Sequence, residues 1–305
     1  MAKTFYSHGK LLLTGEYLVL DGARALAVPT KKGQSLKVEP SGEKGIFWES
    51  LDINGNPWFS AILSFEEIDA WDFSENPSDA RQRLLQILAS AKALNPEFLN
   101  TPEGIKITTK LDFPQDWGLG SSSTLIYNIA TWANADPYEL LQKTFGGSGY
   151  DIACAKNDSA ILYQLINGKP KVTPVNFNPP FAENLFFVHL NKKQNSREAI
   201  RHYRQQPKSK VKDLGEKISE ISGEILKTDH LQEFKTLIDE HEEILSEILN
   251  LSTIKSRLFP DFHGSVKSLG GWGGDFILVT GDAETMSYFR DKGFGTVISF
   301  KGMVL

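Results

Sequence analysis

Asp112-Phe-Pro-Gln-Asp-Trp-Gly-Leu-Gly-Ser-Ser-Ser-Thr-Leu-Ile-Tyr-Asn-Ile-Ala-Thr131 is the stretch whose reading decides the fold. Pro114, Gly118 and Gly120 mark a loop. Beyond it Leu125, Ile126, Ile129, Ala130 and Ala133 recur at helical spacing. A glycine loop that feeds a Ser-rich helix start presents free backbone N–H groups and the positive end of a helix dipole. That is an anion site, and phosphate suits it. Serine hydroxyls there can also serve as hard oxygen ligands for Mg²⁺. An ordinary N-cap after a turn has the same composition, so both readings stand at this point. The stretch is not a Walker loop, because no Gly-Lys-Ser/Thr follows at the required spacing, and the third glycine of a dinucleotide fingerprint is missing. A lysine that serves phosphate here must come from elsewhere in the chain.

Working outward towards the N-terminus, Gly104–Thr109 alternates as a strand that leads into the loop. A helix from Ser78 carries Leu84, Leu85, Leu88 and Ala91 on one face. Asn54-Gly55 predicts a hairpin between Ile46–Ile53 and Pro57–Leu63. Residues 4–20 read as strands punctuated by Gly9 and Gly15. Within them Lys10 and Glu16 are single charges set between a glycine and an apolar run, each either an edge-strand polar residue or a functional group at a strand end.

Towards the C-terminus, Pro137–Thr144 reads as a helix with proline in its first turn. Gly146-Gly-Ser-Gly-Tyr-Asp151 then sets a carboxylate before a small-residue segment. A second hairpin turns at Asn167-Gly168. The composition shift at Asn176–Pro180 marks a boundary, giving domains 1–180 and 181–305. Val211, Leu214, Ile218, Ile221 and Ile225, then Phe234, Leu237, His241, Ile244 and Ile248, step by three and four. They predict a helical hairpin packed on one side, with His241 a polar residue at the edge of its stripe. Gly270-Gly-Trp-Gly-Gly-Asp275 stands directly before an apolar strand, Phe276–Thr280. Four glycines around one tryptophan suggest close approach of backbone to a ligand or another loop.

The composition narrows the function classes. The 305 residues carry 33 Lys+Arg against 38 Asp+Glu, a net charge of −5. No basic tract of the kind that tracks nucleic acid or anionic lipid is present, and no apolar run reaches membrane-spanning length. The one cysteine, Cys154, forbids an intramolecular disulfide. No leader pattern opens the sequence. The expectation is a cytoplasmic protein, monomer or homodimer, that acts on a small molecule rather than on nucleic acid or membrane.

Four segments in fixed order carry a resemblance: Gly9-Lys10-Leu-Leu-Leu-Thr-Gly15-Glu16-Tyr17, Gly118-Leu-Gly-Ser-Ser-Ser123, Gly147-Ser-Gly-Tyr-Asp151 and Gly270-Gly-Trp-Gly-Gly-Asp275. Together they resemble the GHMP kinase superfamily, which includes galactokinase, homoserine kinase, mevalonate kinase and phosphomevalonate kinase. The likeness is strongest to the mevalonate and phosphomevalonate branch. It implies a two-domain α+β fold, with a ribosomal S5 domain 2-like N-terminal domain and a ferredoxin-like C-terminal domain that carries the helical hairpin. It implies ATP and Mg²⁺ as cofactors, and mevalonate or phosphomevalonate as the acceptor. ATP would lie in a central cleft, its phosphates on Gly118, Leu119, Gly120, Ser121, Ser122 and Ser123. Ser122 would bind Mg²⁺, Asp151 would be the catalytic carboxylate, and Lys10 the cation beside the transferred phosphoryl. Glu16, Ser148, Ser196, Arg197, Gly271 and Gly273 would line the acceptor. Phosphoryl transfer needs positioning and charge neutralisation more than covalent help, which agrees with these residue types. Beside Lys10, Asp151 would keep a low pKa and orient the acceptor hydroxyl.

The sequence also departs from that pattern. Mevalonate kinases carry a Mg²⁺-binding Glu eleven residues before the catalytic Asp; here the position holds Leu140, with Glu139 beside it. Adjacent residues on a helix point about 100° apart. Trp117 and Trp272 stand where the family has small residues, placed to narrow the cleft or stack on a ligand. His8 replaces a common proline. A kinase for another metabolite, an ATP-dependent decarboxylase of the superfamily, and a non-catalytic ligand sensor are the alternatives.

Overall fold

The computed structural model describes residues 2–101, 103–192, 200–201, 203–272 and 274–305. Ser196, Arg197 and Gly273 therefore lie outside the described residues. The chain forms two compact units, each assembled from three separate stretches of sequence. One contains Met1–Gly9, Lys32–Gln115 and Gly120–Lys156; the other contains Lys10–Lys31, Asp116–Leu119 and Asn157–Leu305. The composition shift at 176–180 thus falls inside the second unit, and residues 10–31 group with the C-terminal half.

In the first unit the sheet order is β4 (Pro57–Leu63), β3 (Ile46–Leu51), β5 (Gly104–Leu111) and the later part of β2 (Ala25–Ser41), with the start of β1 (Lys3–Leu12) on β2. β3 and β4 form the hairpin foreseen at Asn54-Gly55, with Gly55 at φ 84°. β5 runs parallel to β3 and antiparallel to β2. Alternate residues along the strands face inward: Leu36, Ile46, Trp48, Leu63 and Ile107 are all buried. The helices α1 (Phe65–Asp69), α2 (Ala80–Leu94), α3 (Ser121–Ala133), α4 (Pro137–Thr144) and α5 (Tyr150–Lys156) supply the rest of the unit. Their apolar stripes pack onto that core through Leu84, Leu88, Ile126, Ile129, Leu140 and Ile152. Burying side chains of this size contributes about 1.5–3 kcal/mol each. α1 falls in a polar segment with little apolar periodicity; Ser64 and Glu67 form a capping box that starts it.

The second unit continues β2 through Ala25–Ala27 onto β6 (Ile161–Ile166), which pairs with β7 (Lys169–Pro174). A separate antiparallel sheet has the order β11 (Val297–Ser299), β8 (Leu185–His189), β10 (Phe276–Thr280), β9 (Val266–Ser268). Its central strand β10 reads as a continuous apolar run, and all of it is buried. Two long helices, α6 (Lys208–Ile225) and α7 (Leu231–Leu249), form the foreseen hairpin. α7 packs on β9 and α6 on the turn at Leu18–Asp21. The segment Tyr17–Leu20, read from sequence as a strand, instead forms that turn: Tyr17 has φ 63° and ψ −51°, and Leu18 N–H donates to Glu16 O at 2.7 Å. This is the rarer, strained γ-turn, which interrupts the strand pattern. The α+β class is as expected. Among the described residues no helix is long and apolar enough to cross a membrane.

Candidate functional site

In the second unit the glycine loop is built on Lys10. Its Nζ donates to Gly118 O at 2.7 Å, and its backbone N–H donates to Leu119 O at 2.9 Å. Sequence placed Lys10 far from the loop; β1 brings it there. Gly118 has φ +64°, and a Cβ at this position would meet the Asp275 carboxyl at 2.4 Å. Both facts require glycine. Asp275 is itself fixed: its N–H donates to Lys192 O at 2.7 Å, and its carbonyl accepts from Leu190 N–H at 2.8 Å. Lys10, Gly118, Leu119 and Asp275 are thus held together.

The loop runs on through Gly120 into α3 in the first unit. Gly120 is the N-cap of α3 at φ +92° and gives it no side-chain cap. The first ladder bond is Thr124 N–H to Gly120 O, so the amides of Ser121, Ser122 and Ser123 precede the ladder. Ser123 Oγ turns inward onto Gly120 O at 2.9 Å, whereas Ser122 is exposed. α3 is pinned to β2 by Thr124 Oγ1 donating to Gln34 Oε1 (2.7 Å) and Asn128 Nδ2 donating to Gln34 O (2.9 Å).

Asp151 is the second residue of α5, half-buried, with Oδ1 accepting from Ile152 N–H at 3.0 Å. The preceding Gly146, Gly147 and Gly149 have φ of 66°, 108° and 86°. These left-handed residues set the entry to α5 and bury Ser148. α5 packs on α3, so Ser122 and Asp151 stand at the starts of two packed helices of the same unit. On α4, Glu139 is exposed and Leu140 wholly buried in the core. The residue at the position of the mevalonate-kinase glutamate is therefore an apolar core residue.

In the Gly270 loop it is Trp272, expected to narrow the cleft or stack on a ligand, that departs from expectation. Trp272 is 4% exposed. Its backbone N–H donates to Tyr17 Oη at 2.7 Å and its Nε1 to Ser252 O at 3.2 Å. It is a packed residue that anchors the loop, and its buried indole has no open face for a ligand. Gly271 is buried beside it, and Gly270 has φ +69°. Trp117 packs edge-on to Phe276 with ring centroids 5.4 Å apart and lies 6.3 Å from His189. Burial pushes the Tyr17 phenol up to about 12, so it stays protonated.

Glu16 is not at a strand end facing solvent. It lies in a fully interior cluster with His241, Glu242 and Lys267, at 2%, 0%, 3% and 0% exposure. Lys267 Nζ donates to Glu16 Oε1 at 2.7 Å and to Ser268 O at 2.8 Å, and stands 3.5 Å from Glu242 Oε1. His241, expected at the stripe edge, is buried and accepts from Gly15 N–H through Nε2 at 2.9 Å. Accepting there requires neutral imidazole with its proton on Nδ1. Burial, then the Lys267 charge, holds its basicity well below the usual range. Burial also raises the Glu16 carboxyl against the pull of Lys267, and raises Glu242 to about 7. Lys267 and Glu242 go unmarked in the sequence reading, and Asp275 appears there only as the end of a glycine segment. A single lysine inside the apolar-flanked strand before a glycine loop was the available signal for Lys267.

Comparison with protein-family models and with curated proteins yields no match. Solved structures do match over the whole chain. The Methanococcus jannaschii mevalonate kinase aligns with a TM-score of 0.71 at 18% identity, covering 98% of this chain and 97% of that one. The fold is that of the GHMP kinases. The Lactococcus lactis galactokinase complexed with galactose aligns with a TM-score of 0.70 at 13% identity, over 95% and 88% of the two chains. The Streptococcus pneumoniae phosphomevalonate kinase in complex with phosphomevalonate and AMPPNP gives 0.66 at 16%, over 99% and 98%. The GHMP kinase fold thus accounts for both units, including the segments on which the resemblance rests.

Proposed function

We propose that the protein is an ATP- and Mg²⁺-dependent small-molecule kinase of the GHMP type, acting in the cytoplasm on mevalonate or phosphomevalonate. One observation carries the reading: the Lys10 ammonium is fixed at 2.7 Å on the carbonyl of Gly118, in a glycine loop that enters an uncapped thirteen-residue helix. A cation and a row of amides before the ladder are what a polyphosphate requires.

The donors fit the two cofactors. Gly120 leaves the start of α3 without a side-chain cap, so the amides of Ser121–Ser123 suit phosphate oxygens. Among the described residues no group of three or more His, Cys, Asp or Glu is arranged to hold a metal. A site of one hydroxyl, Ser122, completed by nucleotide phosphates suits Mg²⁺, which rarely takes an all-protein cage. Bound there, Mg²⁺ would neutralise charge on the phosphates. Lys10 would add its charge beside the transferred group. Asp151 would accept the hydrogen bond of the acceptor hydroxyl and take its proton late in transfer. Ser148, Gly271 and the residues Ser196, Arg197 and Gly273 complete the proposed acceptor contacts. Glu16 supports them from its buried position.

A second reading, a phosphate-ligand sensor without transfer, draws on Leu140, which is wholly buried where mevalonate kinases have a metal-binding glutamate. ADP release with ATP, Mg²⁺ and each of mevalonate, phosphomevalonate, homoserine and galactose separates the two. Turnover of one acceptor, reduced about 10²-fold or more in Asp151→Asn, is the expected result. ATP binding with no turnover of any acceptor would favour the sensor.

A further inference from the structure

The buried cluster of Glu16, His241, Glu242 and Lys267 has more polar capacity than partners. Glu16 Oε2, His241 Nδ1, both carboxyl oxygens of Glu242 and Ser268 Oγ are buried without a hydrogen-bond partner. Such groups cost free energy and therefore call for a reason in the fold. With both carboxylates ionised, Lys267 charged and His241 neutral, the cluster would carry one uncompensated negative charge away from water. That state is strongly disfavoured.

The geometry decides which carboxyl keeps the proton. Glu16 is in direct contact with the ammonium at 2.7 Å; Glu242 comes no closer to it than 3.5 Å and lies against Ser268. The cluster is also tied to the glycine loop at two points. Lys267 Nζ donates to Ser268 O, two residues before Gly270, and the residue after Glu16, Tyr17, receives the N–H of Trp272. Tyr17 does so from its strained γ-turn, so the contact is held by the surrounding structure and not by local preference.

We propose that Lys267, clamped by Glu16, positions the Ser268–Trp272 segment of the glycine loop, and that protonated Glu242 keeps the clamp closed. While Glu242 is neutral it does not compete with Glu16 for the ammonium. Once ionised it does; Lys267 is then drawn between two carboxylates, and Ser268 and the loop move with it. The groups that face Glu242 are Glu16 from the 13–17 segment, Lys267 from β9 and His241 from its own helix. His241 stays neutral throughout, since its Nε2 is occupied by the Gly15 N–H. Burial places the Glu242 transition near neutrality. Lys267, Glu16 and Glu242 are positioning residues. Their consequence for turnover rests on the kinase reading; the loop movement does not.

The test is a pH series of fluorine NMR spectra on the full chain labelled with 5-fluorotryptophan, without nucleotide or acceptor. The Trp272 resonance is assigned by its loss in Trp272→Phe. The wild-type resonance is expected to move between two limits across neutral pH. In Glu242→Gln it stays at the low-pH limit, and in Lys267→Met it sits at the high-pH limit at every pH. A wild-type resonance that does not titrate, or one that titrates equally in Glu242→Gln, overturns the proposal. If Glu242→Gln does not fold, the wild type alone decides. Its infrared protonated-carboxyl band must fade over the same pH range as the Trp272 shift, and fading over a different range overturns the proposal. In turnover, Lys267→Met lowers kcat about 10²-fold through misplacement. A protein inert as a kinase whose Trp272 still titrates would refute the kinase reading and leave the clamp standing.

Discussion

A methyl group on Gly118 would lie 2.4 Å from the carboxyl of Asp275, a residue whose own N–H and carbonyl are both hydrogen-bonded to the chain at Leu190 and Lys192. Neither partner can yield cheaply. Gly118→Ala also places a side chain at φ +64°, which costs about 1–2 kcal/mol before any clash. The expected outcome is a lower denaturation midpoint together with weakened ATP binding, read by calorimetric titration. The double variant Gly118→Ala/Asp275→Ala removes the 2.4 Å carboxyl clash but keeps the backbone strain and the 2.9 Å approach to the Cβ of residue 275, so it should recover part of the loss. Strict additivity of the two single variants would show that the carboxyl is not what excludes a side chain.

Lys10 contributes to both the loop and the proposed chemistry, and the two contributions separate experimentally. Lys10→Met removes the ammonium that Gly118 O accepts from but leaves the backbone bond from Lys10 N–H to Leu119 O. The loop should therefore still form, and the denaturation midpoint should change little. kcat should fall about 10²–10³-fold, as when one preorganised donor to developing charge is lost. A variant that retains wild-type kcat on the preferred acceptor would remove Lys10 from the chemistry.

The residues that made the fold legible are those with periodicity or punctuation. The stripes of α3, α6 and α7, the hairpin at Asn54-Gly55 and the apolar run of β10 follow from local spacing and turn chemistry. So does the glycine loop before α3. Three things did not follow. Tyr17–Leu20 has strand composition, yet the γ-turn at Tyr17 is set by partners distant in sequence, through Trp272 N–H on the Tyr17 hydroxyl. Trp272 reads from sequence as facing a cleft or ligand and His241 as lying at the edge of its stripe, because a polar or aromatic side chain in a loop or stripe has no local mark of burial. Glu16 had the signature of an isolated charge, but its partner Lys267 lies 251 positions away, and no spacing rule reaches that far.

Thr124 offers a stability test independent of any activity. Its hydroxyl donates to Gln34 Oε1 at 2.7 Å, and Gln34 is buried on β2. Thr124→Val keeps the shape and leaves that oxygen without its donor, which should cost about 1–3 kcal/mol. Thr124→Ser retains the hydroxyl and should lose less. Urea denaturation with an unchanged slope is the measurement. A Thr124→Val variant as stable as the wild type would show that the hydrogen bond to Gln34 contributes nothing, and a larger loss in Thr124→Ser than in Thr124→Val would make the methyl group the more important half of the side chain.

Glu242 makes folding stability depend on pH with a definite sign. Burial, opposed by Lys267 and assisted by Glu16, raises its carboxyl from 4.5 to about 7. The folded state then binds a proton that the unfolded state has released. Stability from this group is fully present below about pH 4.5 and declines as pH rises towards 7, where the buried carboxyl ionises; above that the loss is constant. The full loss is about 3 kcal/mol. Glu242→Gln is uncharged at every pH and lacks this dependence. The free energy of unfolding of Glu242→Gln minus that of the wild type should therefore rise by about 3 kcal/mol between pH 4.5 and pH 8. Groups common to both proteins cancel in that difference. A difference that stays flat over this range would mean that Glu242 is ionised throughout, and the proton would then have to reside on Glu16, the other raised carboxyl of the cluster.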